Sequence, residues 1–295
     1  MSEHMHWIRE LARRAHPDAP AAGTAARIDT AARLRGLAAA RTGEVVSLSL
    51  PLVDAVNLRG DERPVFQLER FYQQEAAGVY TDPSVGTATD HLRLDPHGID
   101  NTHIDALNHT AVDGVWYGGI PVDHESPGSL QALSSRGVVT RGIHLDLAAA
   151  QGREWVDTDD PVSGDHLARA LAATGLTIEP GDALLLDLGR DRFVAAGGAV
   201  RAATRPGVGE SGARWLAERP VSAVAWDLLD AKHPSQVPAA VHLLNWAIGL
   251  VLIDNCDFSA ARSALAANGH EGLLMTAPLS VAGATGGNVN PLVMV

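Results

Sequence analysis

The stretch His97-Gly-Ile-Asp-Asn-Thr-His-Ile-Asp-Ala-Leu-Asn-His109 places three histidines and two aspartates within thirteen residues. His103 and Asp105 lie two apart, so on an extended segment both side chains point to the same face. His109 follows Asp105 by four residues, and a helical turn after Asp105 returns its imidazole to that face. His97 precedes a glycine, which allows a loop to bring its ring to the same place. Imidazole nitrogen together with carboxylate oxygen favours zinc, manganese or iron(II) over calcium.

The cluster also has an ordinary interpretation, because the chain contains 13 histidines. An isolated His-x-Asp pair is commonly a hydrogen-bonded pair on the surface, and short motifs have high false-positive rates. Spacing alone therefore leaves metal binding and surface hydrogen bonding both open.

The composition of the chain narrows the classes of partner. At 295 residues, with 46% hydrophobic and 20% charged residues, the chain is long enough for an ample core. A formal net charge of -12 argues against nucleic acid or an anionic membrane as a partner and suits the binding of a cation. Cys256 is the single cysteine, and the chain has neither a membrane-spanning apolar run nor the apolar core of a secretory signal. We expect a cytoplasmic protein.

The first forty residues predict two helices. Residues 5 to 40 are rich in alanine and arginine, and an interruption from Pro17 to Gly23 divides them. We predict a helical N-terminal extension over residues 1–44, followed by one domain over residues 45–295. Near-helical spacing predicts that one stripe of the second helix packs on the body, formed by Ile28, Ala31, Ala32, Leu34 and Ala38.

The remainder of the chain predicts buried strands that alternate with helices, which indicates an α/β architecture. The predicted strands cover residues 45–50, 137–147, 182–188, 221–226, 250–255, 273–279 and 289–295. The predicted helices cover residues 164–173, 211–218 and 238–249.

Four aromatic residues are candidates for a substrate pocket. Residues 52 to 90 form a polar, irregular segment that contains Phe66 and Phe71. Such a long loop is typical of a lid or substrate wall, and equally of a surface excursion. Trp116 and Tyr117 follow the histidine cluster with glycines on both sides, which permit close approach of a ligand. These two rings either line a pocket or fill the core.

A second acidic and histidine pair lies far along the chain. His242 is on a predicted helix, and Asp254 ends the next predicted strand, twelve residues later. This arrangement can bring both side chains to one edge of a sheet. An aspartate in that position is also a common N-cap or turn former.

Together the two motifs resemble the cyclase family of metal-dependent hydrolases, which includes bacterial kynurenine formamidase and isatin hydrolase. The family motif reads HxGTHxDxPxH, and Thr102-His103-Ile-Asp105 followed by His109 reproduces its second half. The family also carries a histidine followed twelve residues later by the acidic residue of Glu-Asn-Leu, a spacing that His242 and Asp254-Asn255-Cys256 match. The resemblance extends from about Val45 to the C-terminus.

Two positions depart from the family pattern. Ile99 stands where the family has its first histidine, and the nearest candidate is His97, two residues earlier. Asp254 stands where the family has glutamate, one methylene longer. The shorter side chain leaves a one-metal site open as well as a two-metal site.

The resemblance implies a swivelling β/β/α domain with a mixed central sheet and flanking helices. It implies one or two divalent metals, zinc or manganese, per chain. The implied ligands are His97, His103 and Asp105 for the first metal, and Asp105, His242 and Asp254 for the second. His109 is the implied general base, with a fourth metal ligand or an orienting residue as the alternative.

The function implied is hydrolysis of a small amide, formamide, lactam or lactone by metal-activated water, with C–N bonds preferred to esters. The two departures suggest one alternative, a non-hydrolytic metal-containing protein that binds a small molecule. A further alternative is an isomerase or dehydratase on the same fold, which would use the same residues. The resemblance also implies a homo-oligomer, either a dimer or a tetramer.

Overall fold

A nine-stranded mixed sheet forms the centre of the chain in a computed structural model that describes residues 5–52, 66–73, 85–200, 202–233 and 238–295. Its strands are β1 (Val45–Ser47), β4 (His103–Asp105), β5 (Val138–Asp146), β6 (Ala183–Asp187), β7 (Ala223–Trp226), β8 (Val251–Asp254), β9 (Glu271–Thr276), β10 (Gly286–Asn288) and β11 (Leu292–Met294). They lie in the order β1-β11-β9-β5-β6-β7-β8-β4-β10. Strands β5 to β8 are parallel, and the remaining pairs are antiparallel. The predicted α/β fold with a mixed sheet is confirmed.

Helices flank the sheet, and they include the three predicted between residues 164 and 249. In the described part of the chain they are α1 (His6–Ala15), α2 (Thr30–Ala39), α3 (Leu130–Ser134), α4 (Leu147–Ala150), α5 (Gly164–Thr174), α6 (Arg190–Ala195), α7 (Glu210–Ala217), α8 (His242–Ile248) and α9 (Arg262–Ala267). None of these helices is long and apolar enough to cross a lipid bilayer.

The sheet buries both of its faces, which explains the nearly continuous apolar runs of its central strands. On β6, Leu184 and Leu186 belong to the apolar cluster on one face, whereas Ala183 and Leu185 belong to the cluster on the other. The alternation follows from the two-residue period of a strand.

The N-terminal helices pack onto the same body. Helix α1 contacts α8, and α2 contacts β5 and β9. Between them, the Thr24 hydroxyl approaches the carbonyls of Ser222 at 2.7 Å and Gly249 at 3.1 Å. The proposed division of the chain after residue 44 stays a prediction.

The stripe by which α2 contacts the sheet differs from the predicted one. Ala32 and Ile28 are buried as predicted, but the rest of the contact uses Gly36 and Ala39, and Leu34 is 59% exposed. A Cβ at Gly36 would lie 2.8 Å from the backbone nitrogen of Arg141. The absence of a side chain at Gly36 therefore lets α2 pack close to β5. The packing of backbone on backbone therefore decides which face is buried, rather than the size of the apolar side chains.

A two-stranded antiparallel hairpin replaces part of the segment predicted to be irregular. Strand β2 (Phe66–Gln73) pairs with β3 (Thr87–Leu94) over eight residues each. The prediction was wrong here because the hairpin has no buried face to impose alternating apolar residues: Leu68 is 45% and Leu92 58% exposed. The other parts of this segment, residues 53–65 and 74–84, lie outside the described residues.

Candidate metal centre

Strand β4 carries His103 and Asp105 on one face, as their spacing predicts, with buried Ile104 between them. The strand lies between β8 and β10, and its register places His103 opposite Asp254 and Asp105 opposite Gly286. The sheet thus brings the aspartate of the distant motif beside the first motif.

The loop before β4 is held by side chains of two other elements. Asn255 Nδ2 donates hydrogen bonds to the Gly98 carbonyl at 2.8 Å and to the Asn101 carbonyl at 3.0 Å. Arg190 donates to the carbonyl of Ile99 between them. The side chain of Ile99, at the position of the family's first histidine, is buried in the apolar core.

This loop delivers His97 to Asp105. His97 Nδ1 lies 3.1 Å from Asp105 Oδ1, and its Nε2 lies 3.1 Å from Thr285 Oγ. Gly286 provides the space for the ring, because a Cβ at that position would lie 2.4 Å from His97 Cε1. His97 therefore reaches the site, although the family motif has its first histidine two residues later, at position 99.

One hydrogen bond of the His103 ring fixes its tautomer. Its Nδ1 donates to the Asn101 carbonyl at 2.9 Å, which leaves Nε2 as an unprotonated nitrogen in the neutral ring. Nε2 faces Asp105 Oδ1 at 3.5 Å and Asp254 Oδ2 at 3.8 Å. Asp105 is buried, and its Oδ2 has no hydrogen-bond partner among the described residues. Lone pairs that converge in this way repel one another unless a cation lies between them.

His242 and Asp254 form the adjoining half of the site. His242 Nε2 lies 2.9 Å from Asp254 Oδ2, and its Nδ1 is bonded to Asp230. The indole of Trp226 donates to Asp254 Oδ1 at 2.5 Å. Burial alone lowers the pKa of His242, but Asp254 and Asp230 outweigh it and raise that pKa well above its ordinary value.

His109 lies at the edge of the same group. Its ring stacks on that of His97, with centroids 3.9 Å apart, and its Nε2 is 3.9 Å from Asp105 Oδ2. Burial lowers the pKa of His109, and the neighbouring histidines add to this effect while Asp105 opposes it. His109 also lines a cavity of about 650 Å³ together with His242.

The donor atoms fit a divalent metal that takes nitrogen and oxygen ligands. A tetrahedral ion with nitrogen and oxygen ligands at about 2.1 Å holds its donor atoms roughly 3.4 Å apart. The structure gathers two groups of such atoms, each within 4.8 Å of one another: His97, His103 and Asp105, and Asp105, His242 and Asp254. Asp105 belongs to both groups, and its unpartnered Oδ2 is available to a cation.

A third acidic group does not fit a cation. Asp187, Asp191 and Asp227 also lie close together. The Arg262 guanidinium binds Asp187 at 2.6 Å and Asp191 at 2.8 Å, and backbone amides of residues 188–190 and 228 donate to Asp227. Burial and the neighbouring Asp187 raise the pKa of Asp227 to about 7. The charge of this group is already balanced within the chain.

The four aromatic candidates are dispersed. Trp116 lines a cavity of about 1000 Å³, which Thr285 also lines. Tyr117 is buried and packs edge-on against His16, with ring centroids 5.6 Å apart. Phe71 packs against His91 in the hairpin, and Phe66 begins the same strand. The described contacts of Tyr117 and Phe71 do not include the metal-binding group, and their pocket role stays a prediction.

The sequence did not predict the residues that orient the candidate metal ligands. Asp230 holds His242, Trp226 binds Asp254, and Thr285 binds His97. A signal existed for Asp230, because it follows β7, and the carboxyl ends of the parallel neighbours β7 and β8 meet at one edge of the sheet. For Thr285 and Gly286 the sequence offers none, since their proximity comes from antiparallel pairing across the whole chain.

The sequence profile of the family described as "Putative cyclase" matches residues 46–233. The chain belongs to this cyclase family. No curated protein sequence matches the chain significantly. Because the profile ends before His242 and Asp254, the second half of the site in this cyclase rests on the geometry described above.

Solved structures share the cyclase fold. A structure described as a novel cyclase is 20% identical with a TM-score of 0.77, over 94% of each chain. An isatin hydrolase bound to the product analogue thioisatinate is 17% identical with a TM-score of 0.62, over 91% of this chain and 99% of its own. A predicted metal-dependent hydrolase from Bacillus stearothermophilus is 19% identical with a TM-score of 0.51, over 85% of this chain and 97% of its own. At these identities the likeness establishes the fold.

Proposed function

We propose that this cyclase-family chain is a metal-dependent hydrolase of a small amide, formamide, lactam or lactone. The observation that carries the proposal is the buried Asp105 carboxylate. Imidazole nitrogens of His97 and His103 approach its Oδ1, and its Oδ2 has no hydrogen-bond partner among the described residues. Zinc or manganese fits this donor set, with one or two ions per chain. The expectations of a homo-oligomer and of a cytoplasmic location belong to the same proposal.

The reaction follows from the placement of His109 beside this group. A bound divalent cation supplies Lewis acidity, which lowers the pKa of water and polarises a carbonyl. The water oxygen adds to the carbonyl carbon and the C–N bond breaks. His109 accepts one proton of the water and passes it to the leaving nitrogen, and the other proton is lost from the carboxylic acid product. The products are an amine and a carboxylate.

Asp230 supports the ligand role of His242. Its carboxylate binds His242 Nδ1, which directs Nε2 toward Asp254. A carboxylate behind a metal-binding histidine fixes the ring and increases its basicity. The Asn101 carbonyl does the same for His103.

The proposal is tested by removing and restoring the metal. We expect purified protein to contain about one or two divalent ions per chain, to lose activity after chelation and to regain it with zinc or manganese. Activity is measured with N-formyl aromatic amines, isatin-like lactams and lactones. His103→Ala should lose both the metal and turnover, whereas His124→Ala, at an exposed histidine, should keep both.

Three outcomes would count against metal-dependent hydrolysis. Full activity in metal-free protein would contradict the role of the metal. Tight metal retention without turnover of any compound in the panel would instead support the metal-containing binding protein. Conversion of a substrate without uptake of water, measured by mass spectrometry, would support the isomerase or dehydratase.

A further inference from the structure

The cavity beside the metal-binding residues is lined by two permanent cations and one carboxylate among uncharged and histidine side chains. It has a volume of about 650 Å³, and His109 and His242 form part of its lining. The charged or titratable groups in the rest of its lining are Arg205, Asp230, Lys232 and His233. The one acidic group among these described residues is Asp230.

The carboxylate of Asp230 already accepts hydrogen bonds from groups within the protein. Its Oδ1 accepts the Val241 amide at 2.7 Å, and its Oδ2 accepts the His242 amide at 3.4 Å and binds His242 Nδ1. Arg205 donates to two uncharged acceptors, the Asp230 and Val200 carbonyls, each at 3.3 Å. His233 Nε2 lies 4.0 Å from Asp159 Oδ1.

Among the two cations of this lining, Arg205 is buried and Lys232 is exposed, so Lys232 is the one accessible to a ligand. Residues 230 and 232 lie on an extended segment, since Asp230 bridges Val208 and Lys232 bridges Arg205. Side chains two apart on such a segment point to the same side, and that of Asp230 faces His242. Lys232 is exposed, and its ammonium forms no hydrogen bond or ion pair with any residue in the described ranges.

The overall charge of the chain makes this local cation significant. With a net charge of -12, the protein repels anions at long range. Lys232 lines the same cavity as His109 and His242, and its unpaired ammonium provides one place where a negative group is favoured. Lysine binds a carboxylate as a compact charge with three donors.

We propose that the substrate of this site carries a carboxylate and that Lys232 binds it. The proposal rests on the hydrolase function proposed above and adds a substrate class to it. The carboxylate bound by Lys232 is separate from the carbonyl that is hydrolysed, so it is present in both substrate and product.

Two compounds that differ in this one group test the proposal. The probes are 4-formamidobenzoate and its neutral analogue 4-formamidobenzamide, assayed with metal-loaded protein. We expect the benzoate to be preferred, and Lys232→Met to lower the ratio of kcat/KM for the benzoate over the benzamide by about tenfold, mainly through KM. Lys232→Arg should retain most of the ratio. The matched control is Arg169→Met, which removes an exposed cation from α5.

A binding measurement separates this proposal from the hydrolase function. Lys232 is the single lysine of the chain, so its acetylation by acetic anhydride can be followed by peptide mapping. We expect 4-formamidobenzoate, or its product 4-aminobenzoate, to protect Lys232, and the benzamide to leave it reactive.

Each combination of outcomes has one meaning. Protection by the carboxylate without hydrolysis would overturn the hydrolase function and leave the role of Lys232 standing. Hydrolysis with an unchanged ratio in Lys232→Met, or with an equal fall in Arg169→Met, would overturn the role of Lys232. Neither hydrolysis nor protection would overturn both.

Discussion

We expect His109→Gln to retain its metal and to lose between about a hundredfold and ten-thousandfold in kcat, the usual range for a general base. The ring of His109 borders the cavity, and its Nε2 is 3.9 Å from the nearest carboxylate oxygen of Asp105. Glutamine keeps a polar group of similar reach but cannot carry a proton between water and a leaving group. The measurement is steady-state kcat together with metal content by mass spectrometry.

The two readouts distinguish the roles that the sequence leaves open for His109. Loss of metal in proportion to loss of activity would make His109 a ligand instead. An unchanged kcat with full metal would make it a packing residue. His124→Gln, at an exposed histidine outside this group, is the control and should match the wild type in both readouts.

Gly286→Ala should weaken metal binding by about ten- to a hundredfold, although glycine 286 donates nothing to the metal. A methyl group there would lie 2.4 Å from His97 Cε1 and 2.8 Å from the Ile104 carbonyl, so the imidazole has to move. The dissociation constant is measured by competition with a chelator. The substitution should have little further effect in a His97→Ala background, because both changes remove the same ligand.

The neighbouring glycine supplies the control for backbone effects. A Cβ at Gly287 would approach only the end of the Leu130 side chain, at 2.9 Å, which can turn away. Gly287→Ala should therefore keep the affinity of the wild type, and thermal melts of the metal-free proteins report any general destabilisation. Equal affinity in Gly286→Ala and the wild type would show that His97 is not a ligand.

The sequence predicted best those parts of the fold in which burial imposes a pattern. The nearly all-apolar run that forms β6 has both faces covered, so apolar residues are required on each side and the sequence predicts the strand. The hairpin of β2 and β3 lacks such a face, and the same reasoning treated it as irregular. On α2, Gly36 sets the contact with the sheet, and the absence of a side chain leaves little trace in an apolar pattern.

The site, too, has residues that a local pattern predicts and residues that only the fold brings together. His103 and Asp105 were readable because their spacing alone places them on one face of a strand. The structure also brings His97 to Asp105, but through a loop held by Asn255, which no local pattern shows. Lys232 enters the cavity through an extended segment two residues after Asp230, a relation visible only once His242 has located that segment.

Anomalous diffraction from crystals of the metal-loaded protein tests the central claim most directly. Data collected on both sides of the zinc or manganese absorption edge locate the ion independently of activity. We predict a peak within about 2.0–2.3 Å of His103 Nε2 and an Asp105 carboxylate oxygen. The absence of a peak there, or a peak at Asp187, Asp191 and Asp227 instead, would contradict the assignment of the metal centre.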